Sequence, residues 1–158
     1  MTRCQVILGL LLFIMSTPTS AQLWATAVSR NENQGTAIVF RYIQEFPKDY
    51  SRAQQPDRII LMWRYQGDKG MPSVDERAQM DELEDALAPL QEKGFSTLAL
   101  VSTGNDLKEW TYYARSADSF LRRLNLALHS KPEFPIEIHA SPDPSWATYE
   151  RFIAGVKK

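Results

Sequence analysis

The sequence predicts an α+β fold, with one antiparallel sheet and amphipathic helices packed against it. Three observations carry that expectation. Short runs rich in β-branched and aromatic residues recur along the chain. Two segments repeat apolar residues at spacings of three and four, and Gly, Pro, Asn and Asp punctuate the joins between them. A hydrophobic content of 44%, with 7 Phe, 6 Tyr and 4 Trp in 158 residues, supplies enough apolar surface for one core and excludes a disordered chain.

The first 21 residues stand apart as a secretory leader. Arg3 gives the positive start, Val6 to Met15 form an uncharged apolar run, and Ser16 to Ala21 end in small residues. That run is too short to cross about 30 Å of hydrocarbon as a helix. Cleavage after Ala21 is expected, leaving 22–158 as one domain. The single cysteine, Cys4, lies in the leader, so the mature chain is thiol-free, which suits an oxidising compartment. The expected location is periplasmic or extracellular, with no membrane contact after cleavage.

The mature chain opens with two strands, Trp24 to Arg30 and Thr36 to Ile43, around the turn-rich Asn31-Glu32-Asn33-Gln34-Gly35. Pro47 and Pro56 mark the polar stretch between Gln44 and Asp57 as loop. Arg58 to Tyr65 is apolar on both faces and reads as an interior strand. Gly67, Gly70 and Pro72 break the chain, and Ser73 with Glu76 forms a capping box for a first helix. Met80, Leu83, Leu87 and Leu90 make its apolar stripe. Pro89 predicts a kink or an early end, and Gly94 a stop.

Thr97 to Thr103 and Lys108 to Ala114 read as a second hairpin about Gly104-Asn105-Asp106. A second helix starts near Ser116, with Ala117, Phe120, Leu121, Leu124, Ala127 and Leu128 on one side, and Pro132 closes it. Pro135 to Ala140 is a last short strand. Asp143-Pro144 predicts a terminal helix with Asp as cap and Pro at the first helical position. From Arg58 onward the order is βαββαβ, a ferredoxin-like plan with both helices on one face of an antiparallel sheet. The first hairpin and the short terminal helix are additions to it. So widely shared a plan implies no activity by itself.

Charge and composition narrow the function. With 18 Lys+Arg against 19 Asp+Glu the net charge is −1, which lacks the basic excess of a nucleic-acid reader. One Cys and two His leave no disulfide framework, no Cys/His metal site and no implied cofactor. No catalytic residue is assigned. His129 falls at the end of the second helix, where a cation suits the dipole, and His139 shares a strand side with Glu137. No Gly-x-Ser-x-Gly occurs to supply a nucleophile. Gly67-Asp68-Lys69-Gly70 lacks the Lys-Ser/Thr of a phosphate loop and reads as a turn.

The first helix is acidic, carrying Asp75, Glu76, Asp81, Glu82, Glu84, Asp85 and Glu92. The bland reading is a solvated face paired to Arg122 or Arg123 on the neighbouring helix. An enzyme reading would use Glu82, Asp85 or Glu109 for hydrolase-like acid–base work.

Aromatic residues give the binding candidates. Trp63, Tyr65, Met71, Trp110 and Tyr113 sit on strands or in the loop after the first of them. An open sheet face centred on them would be a recognition platform for a protein or small-molecule partner. The competing expectation is that the hairpin (Trp24, Phe40, Tyr42) and the terminal helix (Trp146, Tyr149, Phe152) cover that face and make these residues core. A non-enzymatic binding or accessory module is the leading expectation, acting through the helix-free face or the 66–72 loop.

Trp63-Arg64-Tyr65, Gly70-Met71-Pro72, Glu84-Asp85, Thr103-Gly104, Glu109-Trp110-Thr111-Tyr112-Tyr113, Pro135-Ile136-Glu137-Ile138, and Asp143-Pro144 with Trp146 and Tyr149 occur in that order. Together they resemble the bacterial domain-of-unknown-function family 695 (DUF695) over about residues 24–153. The resemblance implies a compact α/β domain and no agreed activity or site residues. It does not imply the leader.

Overall fold

The computed structural model describes residues 22–156, so the leader and its cleavage point lie outside the described residues. Among the described residues six strands and three α-helices follow in the order βββαββαβα. The strands are β1 (Leu23–Asn31), β2 (Thr36–Glu45), β3 (Asp57–Arg64), β4 (Ser96–Gly104), β5 (Leu107–Ala114) and β6 (Ile136–Pro142). The helices are α1 (Val74–Leu87), α2 (Ala117–Leu128) and α3 (Ala147–Val156).

All six strands form one antiparallel sheet in the order β1-β2-β4-β5-β3-β6. The opening hairpin is therefore part of the main sheet, joined through β2 to β4, with Tyr42 opposite Leu100 and Ile38 opposite Gly104. That junction is tight. At Gly104 (φ +151°) a Cβ would stand 2.2 Å from the Ala37 carbonyl oxygen and 2.8 Å from the Ile38 Cα, so only glycine fits there.

Helix α1 starts where its capping box puts it. The Glu76 amide donates to Ser73 Oγ at 3.2 Å, and the Ser73 amide donates to Glu76 Oε2 at 3.0 Å. Its α-helical course ends at Leu87 because Pro89 has no amide to continue the ladder, and a 3-10 turn carries the chain to Gly94 at φ +64°.

Helix α3 departs from expectation. It begins at Ala147 rather than at Pro144. Trp146 takes a left-handed φ of +56° that breaks any helix running from Pro144, and the Asp143 carboxylate reaches past it to the amides of Ala147 (2.7 Å) and Thr148 (3.1 Å).

Both α1 and α2 lie on one face of the sheet. Met80, Leu83 and Leu87 of α1 and Phe120 and Leu124 of α2 pack on Ile59, Leu61, Trp63, Trp110 and Tyr112. Burying each such side chain contributes about 1.5–3 kcal/mol. The other face is covered at one end by α3 and the 46–55 loop, where Trp146 stacks on Tyr113 at 3.8 Å and 7°. Trp146 Nε1 donates to the Gln55 carbonyl at 3.0 Å, tying α3 to that loop.

Candidate functional site

The aromatic candidates are interior. Trp63, Tyr65, Trp110 and Tyr113 are all buried, and Met71 alone is half-exposed. Their reading as an open platform is therefore corrected. Trp63 and Trp110 lie beneath α1 and α2, and Tyr113 lies beneath Trp146. Tyr65 donates to the Gly70 carbonyl at 2.9 Å, and burial, with the nearby Asp106 charge, pushes its phenol up to about 12. Those bonds make 66–72 a stapled turn: the Gly67 amide also donates to Asp106 Oδ1 at 3.0 Å. The sequence pattern identifies these residues as important to the fold. It does not tell which sheet face an added helix will roof.

Nor do the candidate carboxylates converge. Glu82 lies 3.8 Å from Lys131, and Asp85 stands over the groove between α1 and α2. Glu109 is on the opposite face of the sheet, where it accepts from Ser102 Oγ at 3.3 Å. Glu137 and His139 form an exposed contact at 3.8 Å. Among the described residues no cluster of three His, Cys, Asp or Glu side chains could hold a metal ion. The arginines expected to answer the acidic helix do otherwise: Arg122 donates to Ser119 Oγ, and Arg123 lies 3.6 Å over the Phe95 ring.

Partners of α1 are instead on the sheet, and they assemble a polar cluster on its helix-bearing face. Arg41 of β2 pairs with Glu84, whose second oxygen accepts from Trp110 Nε1 at 3.0 Å. Lys108 of β5 lies 4.8 Å above the Trp110 ring and 4.0 Å from Asp81. Strand alternation puts Lys108 in phase with Trp110 and Tyr112, hence under α1, while the 81/84 spacing turns both carboxylates toward it.

Only a tenth of the Lys108 side chain is exposed, and its one carboxylate within 4 Å belongs to Asp81, which is 75% exposed. Desolvation therefore lowers the Lys108 pKa; the nearby Glu84 and Asp81 oppose that shift, and Arg41 adds to it. Beside this group the Tyr112 hydroxyl is buried without a hydrogen-bond partner among the described residues, and burial pushes it well above the ordinary phenol range.

The cluster is open on one side. The β1–β2 hairpin extends the sheet beyond α1, and Arg41, 46% exposed, lies 5.4 Å from the ring of half-buried Trp24 on that extension. The arrangement is a corner, with the sheet as floor and the Asp81–Glu84 side of α1 as wall. Chemically it offers an exposed guanidinium beside a desolvated ammonium, edged by an indole. Sequence reasoning missed Arg41 and Lys108. The available signal was a cation in an apolar strand phase, which needs a partner wherever it is buried.

Fold and site define a small α+β domain built on one six-stranded antiparallel sheet, with a cation pair at the joint between helix and hairpin. The model of the family described as "Family of unknown function (DUF695)" matches residues 22–154, and the chain belongs to that family. No curated protein and no solved structure matches the chain.

Proposed function

We propose that this chain is an exported, non-enzymatic binding module that takes a carboxylate of a partner protein at the Arg41–Lys108 corner. One observation carries this reading: Lys108 is a nearly buried cation whose one carboxylate within 4 Å, on Asp81, stands largely in water, next to a half-exposed Arg41. An incoming carboxylate would give the ammonium a closer, less solvated counter-charge than Asp81 and so offset the cost of its desolvation. The acidic side of α1 borders the corner, so the fitting partner presents an isolated carboxylate among basic residues rather than a polyanion.

The strand order β4-β5-β3-β6, with α1 and α2 on one face, supports reading residues from Arg58 onward as a ferredoxin-like unit. In that reading the hairpin is the addition that creates the corner.

The test is a tryptophan-fluorescence titration with a short peptide carrying one Glu flanked by lysines, against the same peptide carrying Gln. Trp24 and Trp110 border the corner and report occupancy. The Glu peptide is expected to bind, and Lys108→Met, which keeps the packing, to weaken it at least about tenfold, the 1.4 kcal/mol of one charge-assisted bond. Equal binding of the two peptides, or undiminished binding by Lys108→Met, overturns the reading.

A further inference from the structure

The two edges of the sheet are built differently. At one edge β6 is guarded: it follows Pro135, ends on Pro142, and carries Glu137 and His139, both more than half exposed. At the other edge β1 is less guarded. Its nine residues, LWATAVSRN, contain no proline and a single charge, Arg30. Its pairing with β2 is regular from Trp24 to Asn31, the only register shift falling between Leu23 and Trp24. Among the described residues nothing pairs with its outer side, and Leu23 and Val28 are 49% and 47% exposed. A long, regularly paired edge with exposed apolar residues is a template for another strand.

We infer that the occupant is a second copy of this chain, paired antiparallel through β1 across a two-fold axis at Ala27. The strand is self-complementary about that point. Trp24 falls opposite the partner's Arg30, Thr26 opposite the partner's Val28, and Ala25 opposite the partner's Ser29.

Alternation puts Trp24, Thr26, Val28 and Arg30 on the side of the hairpin that continues the α1/α2 face, as the packing of Trp24 against that core shows. There the two Trp–Arg pairs meet as cation–π contacts and the β-branched residues pack in pairs. The opposite side of β1 carries only Ala25, Ala27 and Ser29 inside the strand, small enough for close approach. Along that side runs a groove of about 490 Å³, lined mainly by the apolar Ala27, Phe40, Phe152 and Val156, with Ser29 and Arg151 as its polar members. Two-fold pairing brings the two grooves together and covers their apolar lining. The interface is isologous, so it closes at two copies and joins two six-stranded sheets into one.

The inference is independent of the carboxylate site, and its test does not use Arg41 or Lys108. The purified chain is followed by analytical ultracentrifugation from about 1 to about 200 µM, a range that brackets a micromolar dissociation constant. The expected result is a monomer–dimer equilibrium. Val28→Lys is expected to weaken it at least about tenfold, since each lysine replaces an apolar partner of Thr26 and the two like charges lie diagonally across the axis, about 7–8 Å apart at the backbone. Arg30→Glu, at an exposed position, is expected to weaken it also. Ile138→Lys, the matching change on the guarded edge, is expected to leave it unchanged. A wild-type chain that stays monomeric at the highest concentration overturns the inference. So does a dimer indifferent to Val28→Lys, or one broken equally by Ile138→Lys.

Discussion

Replacing Asp143 by Ala should detach α3 from the sheet at a cost that can be built up bond by bond. The Asp143 carboxylate accepts from the amides of Ala147 and Thr148 at the start of α3, and from the Tyr113 hydroxyl at 2.9 Å. Loss of a helix cap costs about 1 kcal/mol, and a buried hydroxyl left without its acceptor costs about 1–3 kcal/mol. The expected loss is therefore about 2–4 kcal/mol. Urea unfolding followed by tryptophan fluorescence at pH 7 measures it.

Protonation should move the same quantity. Burial pushes the Asp143 carboxyl up, but the amides of Thr148 and Ala147 and the hydroxyls of Tyr113 and Thr148 outweigh it and hold the group below the usual carboxylate range. A group whose folded pKa is depressed contributes fully above its unfolded pKa of about 3.9 and loses that contribution as pH falls through the folded value. The gap between wild type and Asp143→Ala should shrink below about pH 4 accordingly. Tyr113→Phe should cost less than Asp143→Ala, and little more when added to it, because the orphaned hydroxyl is then gone. A gap under about 0.5 kcal/mol at pH 7, or one unchanged between neutral and acid pH, would refute the assignment of Asp143 as the pin of α3.

Two other expectations are independent of that pin. Gly104→Ala should cost more than about 3 kcal/mol, because its Cβ meets backbone atoms of β2 that cannot move without breaking the sheet, whereas Gly35→Ala, at φ +63° with nothing within 4 Å, should cost only about 1–2 kcal/mol. Comparable denaturation midpoints for the two variants would contradict the close approach of β2 to Gly104. Mass spectrometry of protein recovered outside the cytoplasm should find a chain beginning at Gln22, and an intact Met1 there would overturn the leader reading.

What could be read from the sequence was whatever short-range chemistry decides. Ser73 and Glu76 sit three residues apart and cap α1 through bonds that need no other part of the fold. Pro89 ends the α-helical course by lacking one proton. The alternation of Ile59, Leu61 and Trp63 marks the face that α1 and α2 bury, because strand geometry alone fixes which side chains travel together. The start of α3 was not legible, since it depends on the left-handed turn at Trp146. That turn is held by a ring 33 residues away in sequence, Tyr113, and by the Gln55 carbonyl, which lies further still.

The candidate site fails to appear in the sequence for a related reason. Arg41, Glu84 and Lys108 come from β2, α1 and β5, and neither their spacing nor their flanks predict that they meet. They meet because β2 inserts beside β4, a pairing decided by a glycine that lets two backbones touch. For the aromatic rings the sequence leaves an open platform and a covered core both standing, because an apolar strand looks the same whether one helix layer covers it or two, and burial decides for the core. Trp63, Trp110 and Tyr113 therefore hold the sheet to its helices, and the recognition chemistry falls to the charges at the seam. A cation such as Lys108 at a core-facing strand position is costly enough to need a reason. Asp81, largely in water and 4.0 Å away, supplies only part of one.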